Sequence, residues 1–448
     1  MPAPDELRMS RLLRILGLAF GLAVVVGGVV GQGILRTPGI VAGAVPDPTL
    51  IIALWTLGGL LILIDACALV ELGASIPRAG GPYALAARAY GPIGGTVVGW
   101  ADWWISTLVI AFVSVVFGEY CHRLGIGTAV PASLLSLGLI AACWAVNWTG
   151  TRLSGASQTI LSAAKGLVLV ALVAALFLFG ESPPATGLEA TGGDVAPAAG
   201  AAAILIALRA IVNTFGGWHA SVYFGKEILA PDRNIARSTF GGILFVTALY
   251  VGINASLLYV LTPEQMAASE LPVADAASVV FGSMGGVVMT ALALLSLAAI
   301  ANLFVMVGSR IGFAMARDGV LPAALARTSA SGTPRVALTA GAIVAAGFAL
   351  SGTYEELLSV SVPLTVATIG ALDLAAIIMR RREPDLPRPF KMPLFPLPAV
   401  AGLVLNLALL AAMLIGDPLP TSIGIGAAVL LGIGYALVQR GRRASTPA

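Results

Sequence analysis

Long runs of apolar residues, separated by short polar stretches, fill almost the whole chain. A helix needs about 20 mostly apolar residues to cross the hydrocarbon core of a bilayer, so these runs predict membrane-spanning helices. Twelve segments can be assigned, of which the eighth is too long for one spanning helix: Leu12–Val41, Thr49–Ile76, Pro92–Tyr120, Pro131–Trp148, Leu153–Gly180, Ala198–Leu229, Ile235–Leu261, Val273–Met315, Val336–Ser351, Glu356–Met379, Pro398–Ile415 and Ser422–Gln439.

The composition supports the same class of protein. Hydrophobic residues make up 58% of the chain and charged residues 10%, and the mean hydropathy is +0.96. Soluble domains contain about 25% charged residues. The sequence therefore predicts an all-α polytopic membrane protein embedded in the lipid bilayer.

Basic residues predict the orientation of the chain. Of the 25 Lys and Arg, 21 fall in the terminal tails and alternate loops, including Arg310 and Arg317, and the opposite loops hold only Arg123. Cytoplasmic loops carry an excess of basic residues, so we expect a multi-pass protein of the cytoplasmic (inner) membrane with both termini in the cytoplasm. The net charge of +3 reflects this bias and gives no reason to expect nucleic-acid binding.

Two glycine-rich interruptions lie inside apolar segments one and six. They read GQGILRTPG from Gly31 to Gly39 and TFGGWH from Thr214 to His219. An unpaired backbone group in lipid costs several kcal/mol, so such a break is tolerated only where it lines a cavity or a ligand. Paired interruptions in corresponding positions of two halves are typical of inverted-repeat secondary transporters. The breaks therefore predict a binding site at mid-membrane depth.

Six motifs, in order, carry a resemblance to a known family. They are GQGILRTPG, ELGASIPRAGGPY, NWTGTRLSGASQTILSAAKG, FGGWHASVYFGKEILAPDRNIARS, SRIGFAMARDGVLP and PDLPRPFKMPLFP. Together they resemble the amino acid–polyamine–organocation transporters, in particular the L-type amino acid transporter branch. The resemblance implies a LeuT-like 5+5 inverted repeat of 12 transmembrane helices with helices 1 and 6 broken. Residues 12–180 and 198–381 would form the two repeats, and residues 398–439 two additional C-terminal helices.

The resemblance also assigns a substrate site to the two breaks. Free amides and a positive dipole end at the start of a half-helix suit a carboxylate, and exposed carbonyls suit an ammonium. The amides would belong to Gly31, Gln32 and Gly33, and the carbonyls to Val29, Asn213 and Thr214. Alternatively, the glycines serve close helix packing. The complete predicted set is Val29, Gly31, Gln32, Gly33, Ile34, Asn213, Thr214, Phe215, Gly216, Gly217 and Trp218.

Two positions depart from the L-type pattern. Gln32 stands where many relatives have a small Ser, and Asn213 stands where they have a Phe gate. Phe215 and Trp218 are the candidates to replace that aromatic residue, although Trp218 also fits a packing role. The preferred side chain of the substrate therefore stays open.

Lys165 lies well inside segment five, where an ammonium is rare unless it is paired or functional. By resemblance it occupies the place of a sodium ion in sodium-independent members and would bond carbonyls near Gly31 and the hydroxyl of Ser296. Release of its proton could couple transport to a proton gradient. The alternative is a lysine that reaches the interface along its apolar stem.

The other intramembrane charges allow several interpretations. Arg36 and Arg209 would make an outer vestibule cationic, or would pair with Asp65, Asp102 or Glu119. Candidate gate or pH-sensing residues are Arg209, His219 and Glu227; the alternatives for the latter two are a structural histidine and an ordinary loop charge. Arg317 and Asp318 are further candidates for an inner gate, and Asp65, Asp102 and Asp373 are candidate proton carriers.

Cofactors and partners are predicted mainly from what is missing. The chain has 2 His and 3 Cys without metal-ligand spacing, and no nucleophile motif, so we expect no metal, no cofactor and no enzyme activity. Cys121 could link to an accessory subunit. The predicted function is sodium-independent transport of neutral L-amino acids, by exchange or proton symport. The alternatives are transport of another amine, with polyamines disfavoured, and a non-transporting membrane sensor.

Overall fold

The computed structural model describes residues 12–31, 33–181 and 200–444, the side chains of 439–444 excepted. Within these ranges the chain is almost entirely helical, and its only extended pairings are two isolated bridges. The 3₁₀ helices are Trp218–Tyr223 and Ala323–Ala326. The α-helices are α1 Leu18–Val29, α2 Gly33–Ala44, α3 Pro48–Ser75, α4 Pro82–Arg123, α5 Ala132–Thr149, α6 Thr151–Phe179, α7 Ala201–Thr214, α8 Pro231–Val260, α9 Pro263–Ala268, α10 Pro272–Phe281, α11 Met284–Arg317, α12 Arg335–Ser351, α13 Tyr354–Arg382, α14 Leu397–Gly416 and α15 Pro418–Ala444.

The described helices confirm the prediction of an all-α polytopic membrane protein. Ten are long and apolar enough to cross a membrane, or eleven if α1 and α2, which meet at a bend of 48°, form one span. The helix α12 is apolar but has only 17 residues. Each of the twelve predicted segments has a helical counterpart, while the count of twelve spans and the inverted repeat stay predictions.

The largest differences from the predicted boundaries lie in the eighth and third segments. The long eighth segment divides at Gly282, which has φ 57°, into the short α10 and the 34-residue α11. The third segment begins ten residues earlier than predicted, because helical structure continues on both sides of Gly91, a non-helical residue with φ 81°. Pro92 after a glycine resembles a helix start in the sequence, and here it follows a sharp change of direction within α4.

The first break is shorter than its glycine-rich motif suggested. Helical structure resumes at Gly33 and continues through Pro38, so the described non-helical residues are only Val30 and Gly31. Gln32, a predicted ligand-binding residue, lies outside the described residues. A glycine inside a helix costs about 1 kcal/mol, which close packing can offset. The second break is the turn 215–217, followed by the 3₁₀ helix Trp218–Tyr223.

Packing places both breaks among the other helices. The helix α1 packs against α6, α8 and the 3₁₀ helix Trp218–Tyr223, and α2 packs against α7. The long helices α4 and α11 lie against each other, and α11 also packs against α1 and the 3₁₀ helix Trp218–Tyr223. Both breaks therefore lie against neighbouring helices, where irregular backbone at membrane depth is tolerated.

Candidate substrate site

The two breaks lie against each other. Gly28, near the end of α1, contacts Gly217, and a Cβ on Gly217 would lie 2.6 Å from the Gly28 carbonyl oxygen. Gly217 has φ 99°, a left-handed conformation that favours glycine. Both the available space and the backbone conformation therefore require glycine at position 217. Close packing is one function of this glycine, which agrees with the alternative that the glycines serve helix packing.

The start of α2 offers amides at the first break. Gly33 and Ile34 are its first two residues, and the first N–H groups of a helix have no partner within the helix. Gly31 is buried, and a Cβ added to it would lie 2.9 Å from Ile300 on α11. A Cβ added to Gly33 would lie 2.9 Å from the methyl group of Thr214. The structure thus brings the predicted amides of the first break next to the end of α7.

A tyrosine that the sequence analysis did not identify joins the two breaks. The hydroxyl of Tyr250, on α8, shares its single proton between two carbonyls, that of Val29 at 3.1 Å and that of Thr214 at 3.4 Å. Its ring lies edge-on against Phe215 and Trp55, with centroid distances of 5.1 and 5.5 Å. Each carbonyl oxygen has two lone pairs, so both can still accept a bond from a ligand. Tyr250 thus holds the two predicted ammonium acceptors together.

The remaining predicted residues of the second break differ in exposure. Asn213 and Gly216 are exposed, whereas Phe215 and Trp218 are buried. The Trp218 ring lies 5.6 Å from the ring of His219, which is also buried. Trp218 therefore packs inside the fold here, and the amide side chain of Asn213 is the one free to face a ligand.

Lys165 fixes the end of α1. Its side chain is completely buried on α6, and its Nζ donates to the carbonyls of Gly27 at 2.7 Å and Val30 at 2.5 Å. Bonds from a charged donor are roughly twice as strong as neutral ones. Ser296 on α11 is buried too, but no hydrogen bond joins it to Lys165 in the described part of the chain, contrary to our expectation.

A chain of buried amides reaches the same backbone. Asn147 on α5 donates to Asn302 on α11 at 2.8 Å, and Asn302 donates to Gln158 on α6 at 2.8 Å. Gln158 donates in turn to Ser162 at 3.3 Å. A Cβ added to Gly27 would lie within 2.5 Å of polar atoms of both Gln158 and Ser162. This network therefore packs directly on the segment of α1 that Lys165 holds.

A buried ion pair closes the side that carries the arginine-rich loops. Glu227 accepts from Arg310 at 2.9 and 3.0 Å, and both side chains are at most 1% exposed. The hydroxyl of Thr151 donates to Glu227 at 3.5 Å. The backbone carbonyl of Glu227 accepts from the amides of Ile15 and Leu16. The ion pair and its hydrogen bonds therefore join four parts of the chain: the residues just before α1, the residues after the second break, α6 and α11.

The partner of Glu227 differs from the one that the sequence suggested. Arg310, which we assigned to a cytoplasmic loop, lies inside α11 and pairs with Glu227. Arg317 and Asp318 pair with each other at 3.4 Å, and Asp318 also accepts from Tyr83 at 3.2 Å. The loop assignment of Arg310 was therefore wrong: Arg310 was counted with the basic loop residues, although it lies within the predicted eighth segment and inside helix α11.

A family model described as amino acid permease matches residues 16–436. This chain belongs to the amino acid permease family. The match spans both breaks, Lys165 and the Glu227–Arg310 pair. The permease is thus an amino acid transporter of the superfamily that the motifs predicted.

Individual relatives cover nearly the whole permease. The serine/threonine exchanger SteT of Bacillus subtilis is 26% identical over 428 residues, which is 94% of this chain and 95% of that protein. The b(0,+)-type amino acid transporter 1 of Mus musculus is 26% identical, covering 92% and 85%. The large neutral amino acids transporter small subunit 2 of Oryctolagus cuniculus is 27% identical, covering 94% and 79%.

Two motifs of the permease meet at a second charged cluster. Glu71 accepts from Arg380 at 2.5 and 2.6 Å and from Arg388 at 3.1 Å. Nearby, Arg88 donates to Glu383 at 2.6 Å and holds the pKa of that carboxyl below its ordinary value. The motif that begins at Glu71, near the end of α3, is therefore bonded to the motif after α13, a contact that no spacing in the sequence reveals.

The three acids at membrane depth have partners of their own. Asn406 on α14 donates to Asp65 at 3.3 Å and to Asp373 at 3.2 Å. Tyr223 donates to one oxygen of Asp102 at 2.6 Å, and the other oxygen has no partner among the described residues. Asp65 and Asp373 thus form one buried carboxyl pair between α3 and α13, while Asp102 is bonded to the 3₁₀ helix after the second break.

The two arginines assigned to the vestibule are exposed. Arg36 lies on α2 and Arg209 on α7, and within the described ranges neither forms an ion pair. Thr37 and Thr214 share a hydrogen bond of 2.8 Å between the same two helices. The permease therefore joins α2 to α7 through uncharged side chains.

Proposed function

We propose that this permease is a sodium-independent transporter of neutral L-amino acids that works by alternating access. The observation that carries this proposal is the ammonium of Lys165 at the carbonyls of Gly27 and Val30. The protonated amine of Lys165 at the end of α1 would supply the charge that a bound sodium ion would otherwise supply. The buried position of Lys165 argues against the alternative of a lysine that reaches the interface.

The substrate would bind between the two breaks. Its carboxylate would accept from the first amides of α2, at Gly33 and Ile34, and its ammonium would donate to carbonyls near Val29 and Thr214. The printed names of the relatives, a serine/threonine exchanger and a large neutral amino acids transporter subunit, support a neutral side chain. Asn213, exposed at the second break, is the side chain that we expect to set specificity.

The coupling mode is either exchange or proton symport. Release of the proton from Lys165 would remove the donor from both carbonyls and free the end of α1 to move. Movement of that end also requires separation of Glu227 from Arg310, since the approach to α1 is bonded to Glu227. Gate function for Glu227 is consistent with this arrangement, and His219 and Arg209 stay candidates without a defined role.

We further propose the topology that the resemblance implied. Counting the bent pair α1 and α2 as one span and adding the short α12 gives twelve spans, with both termini in the cytoplasm of the cell membrane. The first two groups of five would form the inverted repeats. Cys121 is buried near the end of α4, so a disulfide to an accessory subunit would require local opening there.

Uptake by the purified protein in liposomes tests the function. We expect labelled serine, threonine or a large neutral amino acid to enter without sodium, driven by internal amino acid or by an inward proton gradient. Lys165→Ala should abolish most uptake, because it removes two charge-assisted bonds worth about 1.5–3 kcal/mol each. Lys391→Ala, an exposed lysine, is the matched control. Wild-type rates in Lys165→Ala would refute the role of Lys165, and no uptake by the wild type would favour transport of another amine.

A further inference from the structure

A polar cavity of about 460 Å³ lies at the end of the molecule opposite the Glu227–Arg310 pair. It is formed by the ends of α2, α4 and α13 and by the loop before α10. Its charged lining residues are Arg36, Glu119, Arg123, Glu270 and Glu355.

These five side chains are available to a ligand. All are exposed, and within the described part of the chain none lies within 4.0 Å of an opposite charge. Arg123 only stacks over the ring of Tyr120, at 5.2 Å. Clefts lined with charge focus the field on small charged molecules. The cavity therefore offers both cationic and anionic groups that do not neutralise each other directly.

The cavity also leads toward the first break. Arg36 lies three residues after Gly33, about one turn of α2 beyond the amides proposed to hold the substrate carboxylate. Three glutamates against two arginines give the lining a formal charge of −1. The expectation of a cationic vestibule does not fit this lining, because Arg36 shares the cavity with more acidic than basic residues.

We propose that this cavity is a capture site for zwitterionic α-amino acids, occupied before the substrate reaches the two breaks. The inference rests on the proposed function. Arginine donates to a carboxylate in bidentate geometry, and glutamate accepts from an ammonium. A molecule that carries both groups satisfies both kinds of lining residue. A polyamine would leave the arginines without a partner, and a simple anion would leave the glutamates without one.

The test compares initial uptake of labelled serine in proteoliposomes by Arg36→Gln, Glu270→Gln and Glu355→Gln. Glu264→Gln is the matched control, because Glu264 is an exposed glutamate on α9, six residues before Glu270, that does not line the cavity. Exposed charge pairs contribute modestly, so we expect KM to rise about two- to fivefold while kcat stays unchanged. The wild-type KM should rise with ionic strength, and this dependence should weaken in the cavity variants.

The outcomes separate this inference from the proposed function. If wild type transports serine and the three cavity variants keep the KM and salt dependence of Glu264→Gln, the capture site is refuted. If wild type takes up no amino acid, the proposed function fails and the capture site with it. The thermal unfolding midpoints of all variants identify any substitution that changes uptake by destabilising the fold. Glu270→Gln and Glu355→Gln lie on different segments, and both must raise KM.

Discussion

Removal of Arg310 should open the side that the Glu227–Arg310 pair closes. Both side chains are at most 1% exposed, and loss of one partner from such a buried pair costs about 3–5 kcal/mol. Arg310→Met leaves the Glu227 carboxylate without its counter-charge. The pair links α11 to the residues just before α1, so its loss destabilises the arrangement in which this side is closed. At 1.4 kcal/mol for each factor of ten, the population of the open arrangement should increase by about two to three and a half orders of magnitude.

Thiol alkylation measures this opening. Ser154 lies one turn inside the start of α6, is 1% exposed, and can be replaced by cysteine in a chain without Cys67, Cys121 and Cys143. We expect Ser154→Cys to react slowly with a maleimide when Arg310 is present. The Arg310→Met substitution should raise that rate strongly, up to the limit set by the reagent itself.

Two controls make the result decisive. Arg317→Met changes the same residue type on the same helix, but its pair with Asp318 is partly exposed and contributes little. The double variant Glu227→Gln with Arg310→Met removes both charges and should restore much of the closure. Equal alkylation rates in Arg310→Met and Arg317→Met, with both proteins folded, would refute the proposed role of the buried pair.

Two further substitutions test the contact between the breaks. Gly217→Ala should abolish most uptake, because its Cβ would lie 2.6 Å from the Gly28 carbonyl oxygen and a φ of 99° is strained for alanine. Gly216→Ala is the control and should retain more uptake, because its Cβ would lie 3.3 Å from the nearest atom. Equal uptake by the two variants would contradict this reasoning. Tyr250→Phe should lower the free energy of unfolding by about 1–3 kcal/mol, because two buried carbonyls lose the proton that they share. The exposed Tyr259→Phe on the same helix should not lower it, and calorimetry or melting curves would detect the difference.

The helices were predictable because hydrophobic pattern is a local property. A run of apolar residues predicts a spanning helix wherever it occurs in the chain, and the described helices follow those runs closely. The errors arose where helical structure crossed a glycine. At Gly91 the chain changes direction and remains helical on both sides, and at Gly33 it becomes helical again inside a glycine-rich motif. At Gly33, close packing against Thr214 that the sequence does not display offsets the cost of a helical glycine, whereas Gly91 adopts a φ of 81° that favours glycine.

The candidate site was predictable only in part. The interruptions and the deep ammonium of Lys165 are unusual in a membrane segment, and that rarity made them visible. Tyr250 and Asn302 gave no such signal, because single polar residues in apolar helices are common and their partners lie far away in the sequence. Arg310 was assigned to a loop since it stands near other basic residues.

The sequence by itself determined the class of protein, the approximate spans, the two breaks and the family, because each of these depends on local composition or on short motifs. Only the tertiary structure decided which groups meet. It joined Gly28 to Gly217 and Lys165 to two backbone carbonyls, and it placed Arg310 on Glu227. Pairing depends on distances between residues far apart in the chain, and helix packing alone sets those distances.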